Sequence, residues 1–142
     1  MRRTSALWAL LFLSLFASAC DSGDADPTES ELFGIWGNLD AGQWRVFEFS
    51  ESSTEYPELV GRTPVYTVSL YADGASRTVV QRGIYAVKFG RLVTTVLFDT
   101  TAANIGRDFG NDISEVSAGS FKLQSTSSAT GSRVFERLSA FP

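Results

Sequence analysis

From residue 32 to the end of the chain, apolar and polar positions alternate in short runs separated by turn formers. A period of two marks strands buried on one face, and no stretch carries the 3.6-residue period of a long amphipathic helix. The pattern predicts a first short strand at Ile35 to Asn38 and a second at Trp44 to Ser50, with Phe47 and Phe49 on one face. Val65 to Tyr71 repeats the theme with Tyr66, Val68 and Leu70, and Ala72-Asp73-Gly74 is a hairpin signal. Ser76 to Gln81 and Gly83 to Lys88 are two strands, or one strand bent at Gly83, since glycine inside a strand marks a bend or a close approach. Leu92 to Asp99 is apolar on both faces and predicts a central strand. Ser120 to Ser125 and Arg133 to Leu138 complete the set across a Ser/Thr/Gly turn. Eight short strands in chain order predict an all-β, up-and-down antiparallel barrel, whose closure would remove the exposed strand edges that invite aggregation.

Two connections are longer: Glu51 to Pro64 and Thr100 to Gly119. Long loops carry function or simply span a barrel end, and both uses stay open for these two.

Ahead of the alternating region lies a different pattern. Met1-Arg2-Arg3 is followed by the apolar run Ala6 to Phe16 and then by Ala17-Ser18-Ala19-Cys20, which holds the only cysteine. A positive start, an apolar stretch and small residues before a cut are the order of a secretory signal. The run from Ala6 to Cys20 falls short of the roughly 20 residues needed to span a bilayer. Thr4-Ser5-Ala6 after the arginines lacks the rest of a twin-arginine pattern. The cysteine after small residues resembles the lipobox of bacterial lipoproteins, although Ala17 stands where a branched aliphatic residue is usual. That resemblance implies cleavage before Cys20 and acylation of its thiol, with a cut near Ala19 and a free thiol as the alternative. Each buried CH₂ contributes roughly 0.8 kcal/mol, so two or three chains hold effectively permanently. The expected location is the bacterial cell envelope, either at the outer membrane or on the periplasmic face of the inner membrane.

Composition sharpens this division. The chain carries a net −4, but residues 21–31 hold five acids and no base, whereas residues 32–142 hold 11 acids and 10 bases. Residues 1–19 are therefore expected to be the signal, 20–31 a lipidated cysteine and flexible acidic tether, and 32–142 one nearly neutral domain. Such a domain offers no basic field to nucleic acid. Asp24-Ala25-Asp26 lacks the turn glycine and distal glutamate of a calcium loop and belongs with the solvated tether.

Catalytic apparatus is scarce. Histidine is absent, which removes the commonest general base and metal ligand. No G-x-S-x-G, no S-x-x-K and no Gly-rich phosphate loop occurs. Asp108-Phe109-Gly110 spells a kinase motif with none of its companions. Glu48, Glu51, Glu55, Glu58, Asp108, Asp112 and Glu115 could supply a carboxylate pair, but solvated surface acids are the simpler reading. The expectation is a non-enzyme without cofactor or metal.

Several segments together carry a likeness. Gly34-Ile35-Trp36 opens the first strand after a polar leader, Phe47-Glu48-Phe49 and Gly83-Ile84-Tyr85 follow, and Asp112-Ile113, Phe121-Lys122-Leu123 and Arg133-Val134-Phe135-Glu136-Arg137 close the series. This order resembles the small lipocalin-like domains common in bacterial lipoproteins. It departs from true lipocalins in its short strands and in having no paired cysteine. The resemblance implies that Trp36, beside Gly34, plugs one end of the barrel while Arg137 lies across its indole face. It also implies an interior that binds a small hydrophobic ligand, lined by Phe47, Phe49, Tyr66, Val68, Tyr85, Val87, Val96, Phe98, Phe121 and Phe135. Eight strands, however, make a barrel just wide enough for its own side chains to fill. The alternative is an envelope scaffold or inhibitor with a packed core, meeting a protein or glycan partner through its loops, above all Thr100 to Gly119.

Overall fold

The computed structural model describes residues 27–72, 76–126 and 131–142. Eight strands follow in order: β1 Gly34–Asp40, β2 Gln43–Ser50, β3 Val65–Ala72, β4 Ser76–Lys88, β5 Arg91–Asp99, β6 Asp108–Ser114, β7 Ser120–Ser125 and β8 Arg133–Leu138. Each pairs antiparallel with the next, and β1 pairs with β8 through Ile35–Leu138, Trp36–Arg137 and Gly37–Glu136, closing an up-and-down barrel. Among the described residues the helical segments are short 3₁₀ turns at Glu29–Leu32, Pro57–Leu59 and Ala102–Asn104. Cys20, Asp73 and Gly74 lie outside the described residues, so the lipidation site and most of the expected hairpin do too.

The strand count agrees with expectation, but two strands are drawn differently. The segments expected at Ser76 to Gln81 and Gly83 to Lys88 form one long strand, β4, which slips register between Arg82 and Gly83 against β5. A Cβ at position 83 would lie 1.9 Å from the Thr95 carbonyl oxygen, so only glycine lets the two backbones approach here. The eighth strand is β6, inside the connection expected from Thr100 to Gly119. Its sequence, Asp-Phe-Gly-Asn-Asp-Ile-Ser, buries only Ile113, so hydrophobic alternation gives little sign of it. Backbone pairing to β5 and β7 holds it instead. The expected single loop becomes two short loops at opposite ends of the barrel.

One barrel end is closed. Trp36 and Tyr66 are fully buried, and Phe49, Phe121 and Phe135 are nearly so. They form one core with Val68, Tyr85, Leu92, Ile113 and Leu123, capped by Leu32. The outer wall is covered in places as well. Leu59 is buried, and its 3₁₀ turn packs on β4 and β5. Near the C-terminus Phe141 stacks on Tyr71 with centroids 6.1 Å apart, while Arg77 lies over Phe141 at 4.7 Å. β3 is buried on both faces along most of its length, with Phe141 covering Tyr71.

Candidate functional site

The closed end is built around Glu29–Leu32. These residues fall at the boundary where a flexible tether was expected, yet they form a turn bonded to the barrel. The Trp36 indole N–H donates to the Leu32 carbonyl at 2.6 Å, and the Tyr85 hydroxyl donates to the Glu29 carbonyl at 2.9 Å. The Glu29 carboxylate accepts the Val87 amide at 3.0 Å. Arg137 lies 4.2 Å above the Trp36 ring. Its guanidinium donates to the carbonyls of Ala118 at 2.8 Å, Phe33 at 2.9 Å and Glu31 at 3.3 Å. Gly34 permits this placement: a Cβ there would meet Arg137 Nη1 at 2.6 Å, and its φ of +132° suits glycine.

From this plug an aromatic column runs along the barrel. Trp36 meets Phe121 edge-on at 4.9 Å, Phe121 stacks on Phe135 at 5.3 Å, and Phe135 meets Phe47 edge-on at 5.1 Å. Such pairs add about 0.5–1.5 kcal/mol each beyond the area they bury. Phe47 and Phe135 are where the packing stops.

Beyond them a cavity of about 500 Å³ opens at the other end of the barrel. Phe47, Leu92, Leu123 and Phe135 form its apolar part, while Gln81, Thr94 and Asn111 add polar walls. Arg45, Arg133 and Phe109 stand toward the rim. Strand alternation explains the inward arginines: Arg45 shares the inner face of β2 with Phe47 and Phe49, and Arg133 shares that of β8 with Phe135. Gln81 is held in place. Its side chain accepts from the Tyr66 hydroxyl at 3.0 Å and donates to Asp99 at 2.7 Å.

The electrostatics of the mouth are uneven. Partial burial, and then the neighbouring Arg133, push Arg45 below the usual guanidinium range, with Asp40 acting against them. Among the described residues Arg45 has no hydrogen bond or ion pair. Arg133 makes a loose pair with Asp40 at 3.7 Å. The carboxylates around the mouth are better engaged. Asp108 accepts from the Thr95 hydroxyl at 2.6 Å. Partial burial tends to raise Asp99, but bonds from Gln81, the Thr101 amide and Asn104 hold it below the ordinary carboxylate range.

Of the ten lining residues expected, Phe47 and Phe135 line the cavity. Phe49, Tyr66, Val68, Tyr85 and Phe121 are buried in the packed core, Val96 is buried outside that cluster, and Val87 packs against the core while only partly buried. Phe98 is a correction. The register slip between Arg82 and Gly83 pairs it with Arg82, on the outer wall. There Arg82 lies between the rings of Tyr56 and Phe98, 3.9 Å from each, and forms an ion pair with Glu58. The residues that sequence reasoning missed are Arg45, Gln81, Leu92, Asn111, Leu123 and Arg133. Of the acids considered for catalysis, Asp108 lines the cavity, Glu51 and Glu55 lie in the β2–β3 connection, and four others form ion pairs. Glu48 pairs with Arg77, Glu58 with Arg82, Asp112 with Arg91 and Glu115 with Lys122. The chain matches no family model, no curated protein and no solved structure.

Proposed function

We propose that this chain is a non-enzymatic, lipid-anchored lipoprotein of the bacterial envelope whose barrel holds a small, partly apolar ligand in its open mouth. The cavity of about 500 Å³ carries this reading. Ligand sites typically measure about 300–1,000 Å³ and combine apolar walls with a few fixed polar groups. Gln81, clamped between Tyr66 and Asp99, is such a group. The anchor rests on the cysteine and small residues at positions 17–20, and it would hold the protein at one face of a membrane. A non-enzymatic role is supported by the absence of histidine and by a cavity lining that holds one carboxylate, Asp108, rather than a pair, while Glu48, Glu58, Asp112 and Glu115 meet cations. The loop-mediated partner reading loses support from β6, which takes Asp108 to Ser114 out of the loop and into the wall.

Native mass spectrometry of the full chain, released gently from its membrane, tests the proposal. Extra mass that leaves on denaturation is the expected result. A clean protein mass, together with no uptake of a neutral fluorescent lipid probe, would refute it. Labelling with an alkynyl fatty acid should mark the chain and be lost in Cys20→Ala.

A further inference from the structure

We infer that the mouth of the barrel selects an anion: a compact apolar body carrying one carboxylate or a similar oxyanion, held by Arg45 at the rim. This rests on the ligand-binding reading above and adds the charge of the ligand to it.

The inference stands on the placement of one side chain. Arg45 is partly buried, lines the cavity, and has no hydrogen bond or ion pair among the described residues. A guanidinium has five N–H donors in a rigid fork, and removing it from water without partners is costly. Four other arginines of the barrel wall have a function visible in their contacts. Arg77 pairs with Glu48, Arg82 with Glu58, Arg91 with Asp112 and Arg137 with three carbonyls. Arg45 lines the cavity without any such contact among the described residues.

The neighbours favour an anion over a neutral guest. Arg133, the second cation of the lining, holds Asp40 only at 3.7 Å across side chains that are about half exposed or more. It is free to swing toward an arriving oxyanion. Three carboxylates lie near: Asp40 attracts Arg45 electrostatically but is paired with Arg133, Asp108 in the cavity lining is bonded by Thr95, and Asp99 is bonded by three donors. Below the arginine lie Phe47 and Phe135, which offer ring faces and edges to an apolar body but no acceptor. A carboxylate suits the planar fork because it accepts two parallel N–H bonds.

The test compares two probes of one shape, 2-naphthoate and its neutral carboxamide, by calorimetry on the full chain in non-ionic micelles, with empty micelles as the blank. Octanoate against octanamide repeats the comparison with a flexible body. In at least one pair the anion should bind at least tenfold more tightly. Arg45→Met should bring the two within about twofold while leaving the amide unchanged. Arg45→Met should also melt higher than the parent without ligand, because it removes a partnerless cation from a partly buried place. Equal binding of anion and amide in the parent would overturn the anion inference and leave the cavity reading standing. So would an Arg45→Met variant that melts far lower, which would make Arg45 a structural residue. Asn111→Trp, which fills the cavity, should abolish both partners of a pair. If neither member of either pair binds and native mass spectrometry finds no guest, the cavity reading falls, and the inference falls with it.

Discussion

The closed end makes a quantitative prediction about Arg137. Its side chain gives three hydrogen bonds to carbonyls of two segments, Glu31 and Phe33 before β1 and Ala118 before β7, and lies 4.2 Å above Trp36. The residue as a whole is exposed, so each bond competes with water and belongs at the low end of the usual range, about 0.5 kcal/mol apiece. The cation–π contact at an exposed site adds about 0.5–1 kcal/mol. Arg137→Ala should therefore cost about 2 kcal/mol, which lowers the melting temperature of a domain this size by roughly 10 °C. Denaturant titration followed by tryptophan emission reads both stability and site. The Trp36 contribution should shift to the red as water reaches the uncovered ring. Arg137→Lys keeps the charge but not the fork, and one ammonium does not serve three carbonyls in different directions, so it should recover less than half of the loss. Gly34→Ala acts on the same contact, since its methyl would meet Arg137 Nη1. The cost of the double variant Gly34→Ala/Arg137→Ala should fall short of the sum of the singles. A loss below about 0.5 kcal/mol for Arg137→Ala with unchanged emission would show that the bonds are replaced by water without penalty, and the plug argument would be wrong.

Three further outcomes follow from the barrel wall. Gly83→Ala places a methyl against the Thr95 carbonyl oxygen, a backbone atom with nowhere to go, and should cost about 3 kcal/mol or more; a variant that melts within a few degrees of the parent would show that the bulge is soft. Arg82→Met removes the cation between Tyr56 and Phe98 and leaves Glu58 partly buried without its partner, so it should cost about 3 kcal/mol. Adding Glu58→Gln should return part of that, as urea titration would show. All four tyrosines sit above the ordinary phenol range, chiefly through burial, with Tyr66 and Tyr85 raised furthest. Raised folded values mean that this stability is complete below about pH 10 and falls as the pH climbs through them. Absorbance at 295 nm should therefore stay low near pH 10 and then rise together with loss of structure; a smooth rise of four independent phenols centred on pH 10 would contradict the burial seen here.

Much of the barrel is legible in the chain because a period of two assigns each strand residue to one face. Phe47 and Phe49, Tyr66 and Val68, and Phe121 and Leu123 all go inward as their alternation requires. Two features defeat that rule. A bulge reverses the faces beyond it, which is why Phe98, in phase with Val96 by sequence, ends on the outer wall beside Arg82. A strand whose two apolar residues, Phe109 and Ile113, are separated by Gly-Asn-Asp shows little alternation, which is why β6 passes for loop.

The candidate site is less legible for a further reason. Alternation tells inside from outside but not depth along the barrel axis. Phe47 and Phe49 share a face two residues apart, stacked at 5.4 Å, yet Phe47 borders the open cavity and Phe49 lies in the packed core. Depth is set by the stagger between neighbouring strands, and that depends on the slips at Val68/Ser69 and Arg82/Gly83. A sequence signal for the open end nevertheless exists in the polar residues that keep step with the inward aromatics. Arg45 precedes Phe47 by two, and Arg133 precedes Phe135 by two. An apolar interior tolerates a charge at an inward position only where water or a ligand reaches it. Two such charges, at the ends of β2 and β8 farthest from Trp36, mark the level at which packing ends and the mouth begins.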